Sequence, residues 1–209
     1  TEAVRPYYEA LAKRQGALRR KRILDICGSF VLTILLSPIM LVIAIAIKAE
    51  DGGPVFFRQE RVTTYGRVFR IFKFRTMIVD ADKKGPLVTG KKDNRITKVG
   101  GKLRHLRLDE LPQVLNILTG DMSFVGTRPE VKKYVDQYTD EMQATLLLPA
   151  GVTSLASISF KEEDELIAKY TARGESTDEA YMKHILPKKM KYNLDYLRKA
   201  GVAGDLKIM

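Results

Sequence analysis

Residues 23–47, ILDICGSFVLTILLSPIMLVIAIAI, form an apolar run of 25 residues. As a helix rising 1.5 Å per residue it is long enough for a bilayer core about 30 Å thick. It is too long for a signal peptide, begins too far into the chain, and lacks a small-residue cleavage site. Two residues disturb a plain transmembrane reading. Asp25 lies just inside the start, and Ser37-Pro38 lies near the middle, where proline removes a backbone hydrogen bond and crowds the preceding turn. Three readings stay open: a kinked spanning helix, a helix-break-helix that enters and leaves on one face, and a buried core helix. Arg19, Arg20, Lys21 and Arg22 precede the run, and Lys48, Arg58 and Arg61 follow it. Positive charge on both flanks favours both ends on the cytoplasmic face.

Working outward, residues 1–22 are a basic, amphipathic N-terminal segment, with Tyr7, Tyr8 and Leu11 on one side of a short helix. Residues 23–50 are the membrane segment, and residues 51–209 have the length of one domain with its own core. The whole chain has 36 Lys and Arg against 25 Asp and Glu, a net charge of +11 that suits a polyanionic partner. The single Cys27 excludes an internal disulfide and a cysteine-based metal site. His105 and His184 match no zinc pattern. No aromatic-basic array of the RNA-binding kind is present, so nucleic acid is not the expected partner.

Glu50 to Pro54, EDGGP, marks a turn. Residues 54–59 and 67–77 read as two strands of a hairpin joined around residues 63–66. In the second strand Phe69, Ile71, Lys73 and Arg75 share one face, so Lys73 and Arg75 can point together at an anion. An edge strand guarded by cations fits the same residues. Residues 80–90, DADKKGPLVTG, are loop-like.

Asp109-Glu110 is an acidic pair in basic surroundings, with Arg104, His105 and Arg107 before it and Arg128 after it. Asp109 suits an N-cap, Glu110 then falls at N1 and Pro112 in the first turn. Leu111, Leu115 and Leu118 predict the buried face of the helix that follows. Carboxylates at a helix start meet the positive end of its dipole, which favours an ionised Asp109, ready as a nucleophile or metal ligand. Simple capping explains the same pair. Gly120 stops the helix, and Arg128 lies in the turn Gly126-Thr127-Arg128-Pro129, well placed to hold a phosphate. Further helices are expected over residues 131–142, 161–170 and 177–200, and residues 146–158 read as a packed loop or membrane contact. There is neither a P-loop nor a dinucleotide fingerprint.

Taken together, FFRQERV, FKFRTM, KLRHLRLDELPQVLNIL, GDMSFVGTRPE and PAGVTSLASI resemble, in order, the bacterial sugar transferases, the monotopic phosphoglycosyl transferases. The resemblance covers about residues 20–209. It implies an α+β chain: a Pro-broken re-entrant membrane helix, then a small, mostly helical cytosolic domain with a short β-hairpin. It implies transfer of a sugar phosphate from a UDP-sugar to polyprenyl phosphate, releasing UMP, at the cytoplasmic face of a bacterial inner membrane. Asp109 then matches the family nucleophile that carries a covalent phosphosugar, and Glu110 completes the dyad and helps place Mg²⁺. Lys73, Arg104 and Arg128 match the family's phosphate-binding cations, with Arg75 beside Lys73. A homodimer is compatible with the apolar surface loops. Thr127, Ser157 and Asn193 depart from the family pattern, Thr127 being expected to loosen its turn and all three to bear on donor selectivity. The competing class is a membrane-anchored basic module that binds anionic lipid or nucleic acid without catalysis. It accounts for the charge and the apolar run but gives no reason for an acidic pair among cations.

Overall fold

The structure is a computed structural model that describes residues 1–81, 93–160 and 163–209. The loop expected at residues 80–90 lies outside the described residues from 82 onward, as do the first two residues of the helix expected at 161–170.

Helix α1 (Arg5–Ala12) buries Tyr7 and Leu11 and leaves Tyr8 exposed. Helix α2 (Gln15–Asp51) then runs unbroken for 37 residues, with Pro38 inside it. The expected break at Ser37-Pro38 therefore does not divide it into two helices. Gly52 ends it: its left-handed backbone (φ 71°) lets its amide close on the Lys48 carbonyl at 2.9 Å. Only 6% of the most apolar stretch of α2 is covered by the rest of the chain, which removes the buried-core reading. Ile34, Leu35, Leu41 and Val42 are all more than half exposed.

Both ends of α2 are tied to the domain. Near its start, the Lys21 ammonium donates to Ser123, the Val125 carbonyl and Asp205, all buried. Asp25 accepts from the Ser123 hydroxyl (2.7 Å) and the Phe124 amide (3.3 Å). Asp25 is thus a partnered buried acid rather than a flaw in an apolar run. Arg22 donates to the carbonyls of Ile117 (2.7 Å) and Leu118 (3.2 Å). Near the other end, Ile43 and Ile47 are buried in a cluster with Phe74 and Leu103.

Strands β1 (Phe56–Val62) and β2 (Val68–Phe74) form the antiparallel hairpin, with Phe57 opposite Lys73 and Gln59 opposite Ile71. Phe69 and Ile71 face a core cluster with Ile117 and Met122. Helix α3 (Lys98–His105) is capped by Thr97, whose hydroxyl accepts from the Gly100 amide. Gly100 lies against the backbone of Thr76, and a Cβ there would come within 2.1 Å of the Thr76 carbonyl oxygen. Gly100→Ala is therefore expected to destabilise the fold by about 1–3 kcal/mol, the usual cost of overpacking, seen as a lower midpoint in thermal unfolding. An unchanged midpoint would mean that α3 can back away from Thr76 freely.

Helix α4 (Gln113–Thr119) follows the acidic pair, and Gly120 ends it in a left-handed conformation. Its buried residues are Gln113, Val114, Asn116 and Ile117, while the expected core face of Leu111, Leu115 and Leu118 is only partly buried. The reason is that α4 begins after Pro112, three residues later than a cap at Asp109 implies, which rotates the face. Strand β3 (Met122–Val125) pairs in parallel with β4 (Ala150–Thr153). The apolar stretch 146–158 thus contributes a strand and α6 (Leu155–Ser159), after α5 (Lys132–Val135), which is much shorter than the helix expected over 131–142. The C-terminal part comprises α7 (Glu163–Thr171), α8 (Thr177–Ala180), a π-helical turn (Tyr181–Ile185), α9 (Leu186–Leu197) and α10 (Val202–Leu206). Helix α9 buries Tyr196 and Leu197 against Tyr7, Leu11 and Val125.

Candidate active site

Asp109 and Glu110 sit in a single 3₁₀ turn, Leu108–Glu110, between α3 and α4. Arg107 before it adopts a left-handed backbone (φ 56°), which redirects the chain out of α3. The expected N-cap is absent: the residue preceding α4 is Pro112, and no side chain caps that helix. The pair is therefore not engaged in ending a helix, and capping does not account for it.

The turn is held against β2 by Asn116. Its side-chain oxygen accepts from the Phe72 amide (2.7 Å) and its amide nitrogen donates to the Arg70 carbonyl (3.1 Å). Asn116 thus satisfies the free edge of β2 as another strand would, and it fixes Lys73 relative to α4. The Lys73 ammonium donates to Glu110 Oε1 at 2.8 Å. Sequence reasoning passed over Asn116; a buried-face position occupied by Asn in an otherwise apolar helix was the signal available.

The charges act on one another strongly because the turn is half buried. Burial raises the Asp109 carboxyl above its ordinary value, against the pull of Lys73 and Arg104 and with the repulsion of Glu110. This reverses the expectation that a helix start favours its ionisation. Burial also opposes the charge on Glu110, but Lys73 and Arg128 outweigh it and hold that carboxyl below its ordinary value. Lys73 is lowered by burial, with Glu110 supporting its charge. The two acids are thus pushed apart, Glu110 as the fixed ion-pair partner and Asp109 as the carboxyl kept out of a tight pair.

Arg128 follows β3 in a turn pinned to β4: the Gly126 amide donates to the Thr153 carbonyl (3.0 Å) and the Gly151 amide to the Thr127 carbonyl (2.7 Å). Thr127 is buried and its hydroxyl donates to the Thr145 carbonyl (3.2 Å), so it tightens the turn it was expected to loosen. Burial works against the Arg128 charge, but Glu110, Glu130, Glu163 and Tyr181 raise its pKa overall. Behind it, the Tyr181 hydroxyl donates to Glu130 Oε1 (2.6 Å) and the Lys189 ammonium to Glu163 Oε2 (2.7 Å). None of these four was expected at the site, and the π-helical turn that aims Tyr181 has no sequence period of its own.

Arg75 does not join this group. It leaves β2 and binds Asp51 through both terminal nitrogens, and it donates to the carbonyls of Pro54 (2.6 Å) and Met77 (3.0 Å). Only 6% of it is exposed. The strand ends at Phe74, so the alternation that placed Arg75 beside Lys73 no longer applies. Among the described residues, the side chains of Ser157 and Asn193 have local bonds only, with Ser154 and Met190.

Among the described residues no group of three or more His, Cys, Asp or Glu could hold a metal. Mg²⁺ ordinarily takes one or two carboxylates and completes its shell with water and substrate phosphate, and the Asp109-Glu110 pair fits that donor set.

The arrangement is an acidic pair, one member free of a tight partner, ringed by Lys73, Arg104 and Arg128. The family described as bacterial sugar transferase matches residues 16–209, nearly the whole chain and every one of these residues. The chain belongs to that family. Similar members include a UDP-glucose:undecaprenyl-phosphate glucose-1-phosphate transferase of Klebsiella pneumoniae, 38% identical over 193 residues, which cover 90% of this chain and 38% of that protein. A UDP-N-acetylgalactosamine-undecaprenyl-phosphate N-acetylgalactosaminephosphotransferase of Aeromonas hydrophila is 46% identical over 122 residues, 58% of this chain and 29% of its own. A UDP-glucose:undecaprenyl-phosphate glucose-1-phosphate transferase of Caulobacter vibrioides is 42% identical over 142 residues, 66% of this chain and 53% of its own. This bacterial sugar transferase thus spans about half or less of the length of these relatives.

Proposed function

We propose that this chain moves a sugar phosphate from a UDP-sugar to polyprenyl phosphate in two displacements at Asp109. In the first, an Asp109 carboxylate oxygen attacks the phosphorus that bears the sugar. The bridging phosphorus–oxygen bond breaks, UMP departs with its electron pair, and an aspartyl phosphosugar remains. In the second, a phosphate oxygen of the lipid attacks the same phosphorus, giving polyprenyl-diphosphate sugar and restoring the Asp109 carboxylate. The observation that carries this reading is the half-buried Asp109, in no side-chain hydrogen bond among the described residues, set by Lys73 and Arg104 and next to Glu110, on which Arg128 acts, in a chain whose relatives are named for this transfer. A carboxylate attacking a diphosphate meets like charge, so fixed cations aimed at the phosphates must offset it. Asp109 and Glu110 would hold Mg²⁺, which when bound supplies further neutralisation of the diphosphate. The relatives name both glucose and N-acetylgalactosamine, so the sugar is left to experiment.

The test is the intact mass of the purified protein after incubation with Mg²⁺ and a panel of UDP-sugars, without lipid. A gain of one phosphosugar, with UMP released, is expected for at least one donor. A protein that gains nothing and releases no UMP, yet binds anionic vesicles in a salt-sensitive way, would instead be the non-catalytic basic module.

The same reading places α2 as a dip into the cytoplasmic leaflet of the inner membrane. Supporting it, a straight helix would separate Arg22 from Ile43 by roughly 31 Å. Yet Arg22 binds carbonyls at the end of α4, and Ile43 belongs to a cluster against which Leu111, just before the start of α4, packs. Those two sites on α4 are only about 10 Å apart along its axis. A bend at Pro38 reconciles the distances. With Cys27 replaced by Ser, cysteines placed at Gln15 and at Ala49 are both expected to react with an impermeant reagent from the cytoplasmic side. Reaction at only one of the two would establish a spanning helix.

A further inference from the structure

The residues Glu50 and Asp51, which end α2, read in the sequence as the start of a turn. In the structure both reach into the elements that carry the site's cations. The Glu50 carboxylate accepts from the backbone amides of Lys98 (2.7 Å) and Val99 (3.2 Å), the first two residues of α3. Those amides have no partner within α3, and a carboxylate at a helix start also meets the positive end of the dipole. Helix α3 delivers Arg104 in its last turn, where its charge acts on both Asp109 and Asp93. Asp51 grips the Arg75 guanidinium with both oxygens, and one of these also accepts from the Gly53 amide at 3.0 Å. Arg75 in turn spans the Pro54 and Met77 carbonyls, closing the end of β2 two residues beyond Lys73. The two elements are joined to each other as well: the Thr97 amide donates to the Thr76 carbonyl (3.1 Å) and the Ile78 amide to the Arg95 carbonyl (2.8 Å).

Building on the transfer reaction above, we propose that Glu50 and Asp51 are positioning residues that couple the exit of α2 to catalysis. Asp51 sets Lys73 through Arg75, and Glu50 sets Arg104 through the start of α3. Neither acid touches substrate. Each converts the seating of the apolar helix into the placement of a cation beside Asp109. An ion pair with Arg75 for stability alone would not need Glu50 to cap a second, cation-bearing element from the adjacent residue. A displacement of about 1 Å at a reacting centre can cost about 10²-fold in rate.

The experiment measures the rate of aspartyl adduct formation against UDP-sugar concentration for wild type, Glu50→Gln, Asp51→Asn and Asp51→Glu, beside each protein's thermal midpoint. Glu50→Gln and Asp51→Asn are expected to lower the maximal rate about 10- to 100-fold while the concentration for half-maximal rate moves less than about threefold. Asp51→Glu keeps the charge, one methylene further out, and is expected to fold with a midpoint near wild type and an intermediate rate. Variants with wild-type rates would overturn the coupling, and so would rates that follow the loss of folded protein alone. If wild type itself forms no adduct with any donor, the transfer reading fails first and the coupling falls with it. A wild type that forms adduct beside unimpaired variants refutes the coupling alone.

Discussion

Asp109→Asn is expected to abolish the covalent phosphosugar adduct and to lower lipid-linked product formation by at least about 10³-fold. The amide has nearly the same size as the carboxylate but no anionic oxygen to offer phosphorus. Because Asp109 caps no helix, the exchange removes no local support for α4, and the thermal midpoint should stay close to that of wild type. The comparison with Glu110→Gln sharpens the result. Glu110 is the ion-pair partner of Lys73, so its loss releases a partly buried ammonium as well as a metal ligand of the proposed site. Both variants should lose activity, but only Glu110→Gln should also lose stability. A full adduct on Asp109→Asn would remove the nucleophile from this position and favour direct transfer between donor and lipid.

Lys21→Met is expected to cost about 3–5 kcal/mol of folding stability, the largest effect on stability from a single change outside the apolar core. The Lys21 side chain is 9% exposed, and its ammonium sits between Asp205, bonded directly, and Asp25 at 3.7 Å. Burial already pushes the Asp205 carboxyl up, and Lys21 and the Tyr196 hydroxyl hold its charge in place. Without the ammonium two acids face each other in a dry site. A double variant, Lys21→Met with Asp205→Asn, should be less damaged than the two single changes summed, because it removes the uncompensated charge. Denaturation of the four proteins in one detergent gives the coupling. Strict additivity would mean that Lys21 and Asp205 do not depend on each other.

The comparison of sequence and structure turns on how far apart the partners lie. The long helix, the hairpin and the basic setting of Asp109-Glu110 are carried by short-range pattern: an apolar run, alternation, adjacent charges. Lys73 and Arg104 act on Asp109, and Lys73 and Arg128 on Glu110. What the pattern hides is tertiary pairing. Lys21 and Arg22 read as the positive flank of the apolar run, yet one is buried against Asp205, 184 positions away, and the other closes the carbonyl end of α4. Arg75 looked like a phosphate ligand because its partner, Asp51, lies 24 positions back, across the hairpin turn. Strands β3 and β4 are four residues each, too short to show alternation, and they pair across a wide gap in the chain. The cap expected at Asp109 failed on a local conflict: the left-handed Arg107 and Pro112 make a 3₁₀ turn the better path into α4.

The clamping of α2 at both ends has a consequence for the kind of membrane such a protein tolerates. A helix that spans must match the hydrocarbon thickness, and it tilts, kinks or deforms the lipid when it does not. With Lys21 and Asp25 holding one end and Asp51 the other to the same domain, α2 has no free end to tilt. On the proposed re-entrant reading, its seating would depend on the depth and packing of the near leaflet rather than on the distance to the far one. If α2 is re-entrant as proposed, hydrophobic mismatch, which sorts spanning proteins among membranes, would exert little selection on this chain.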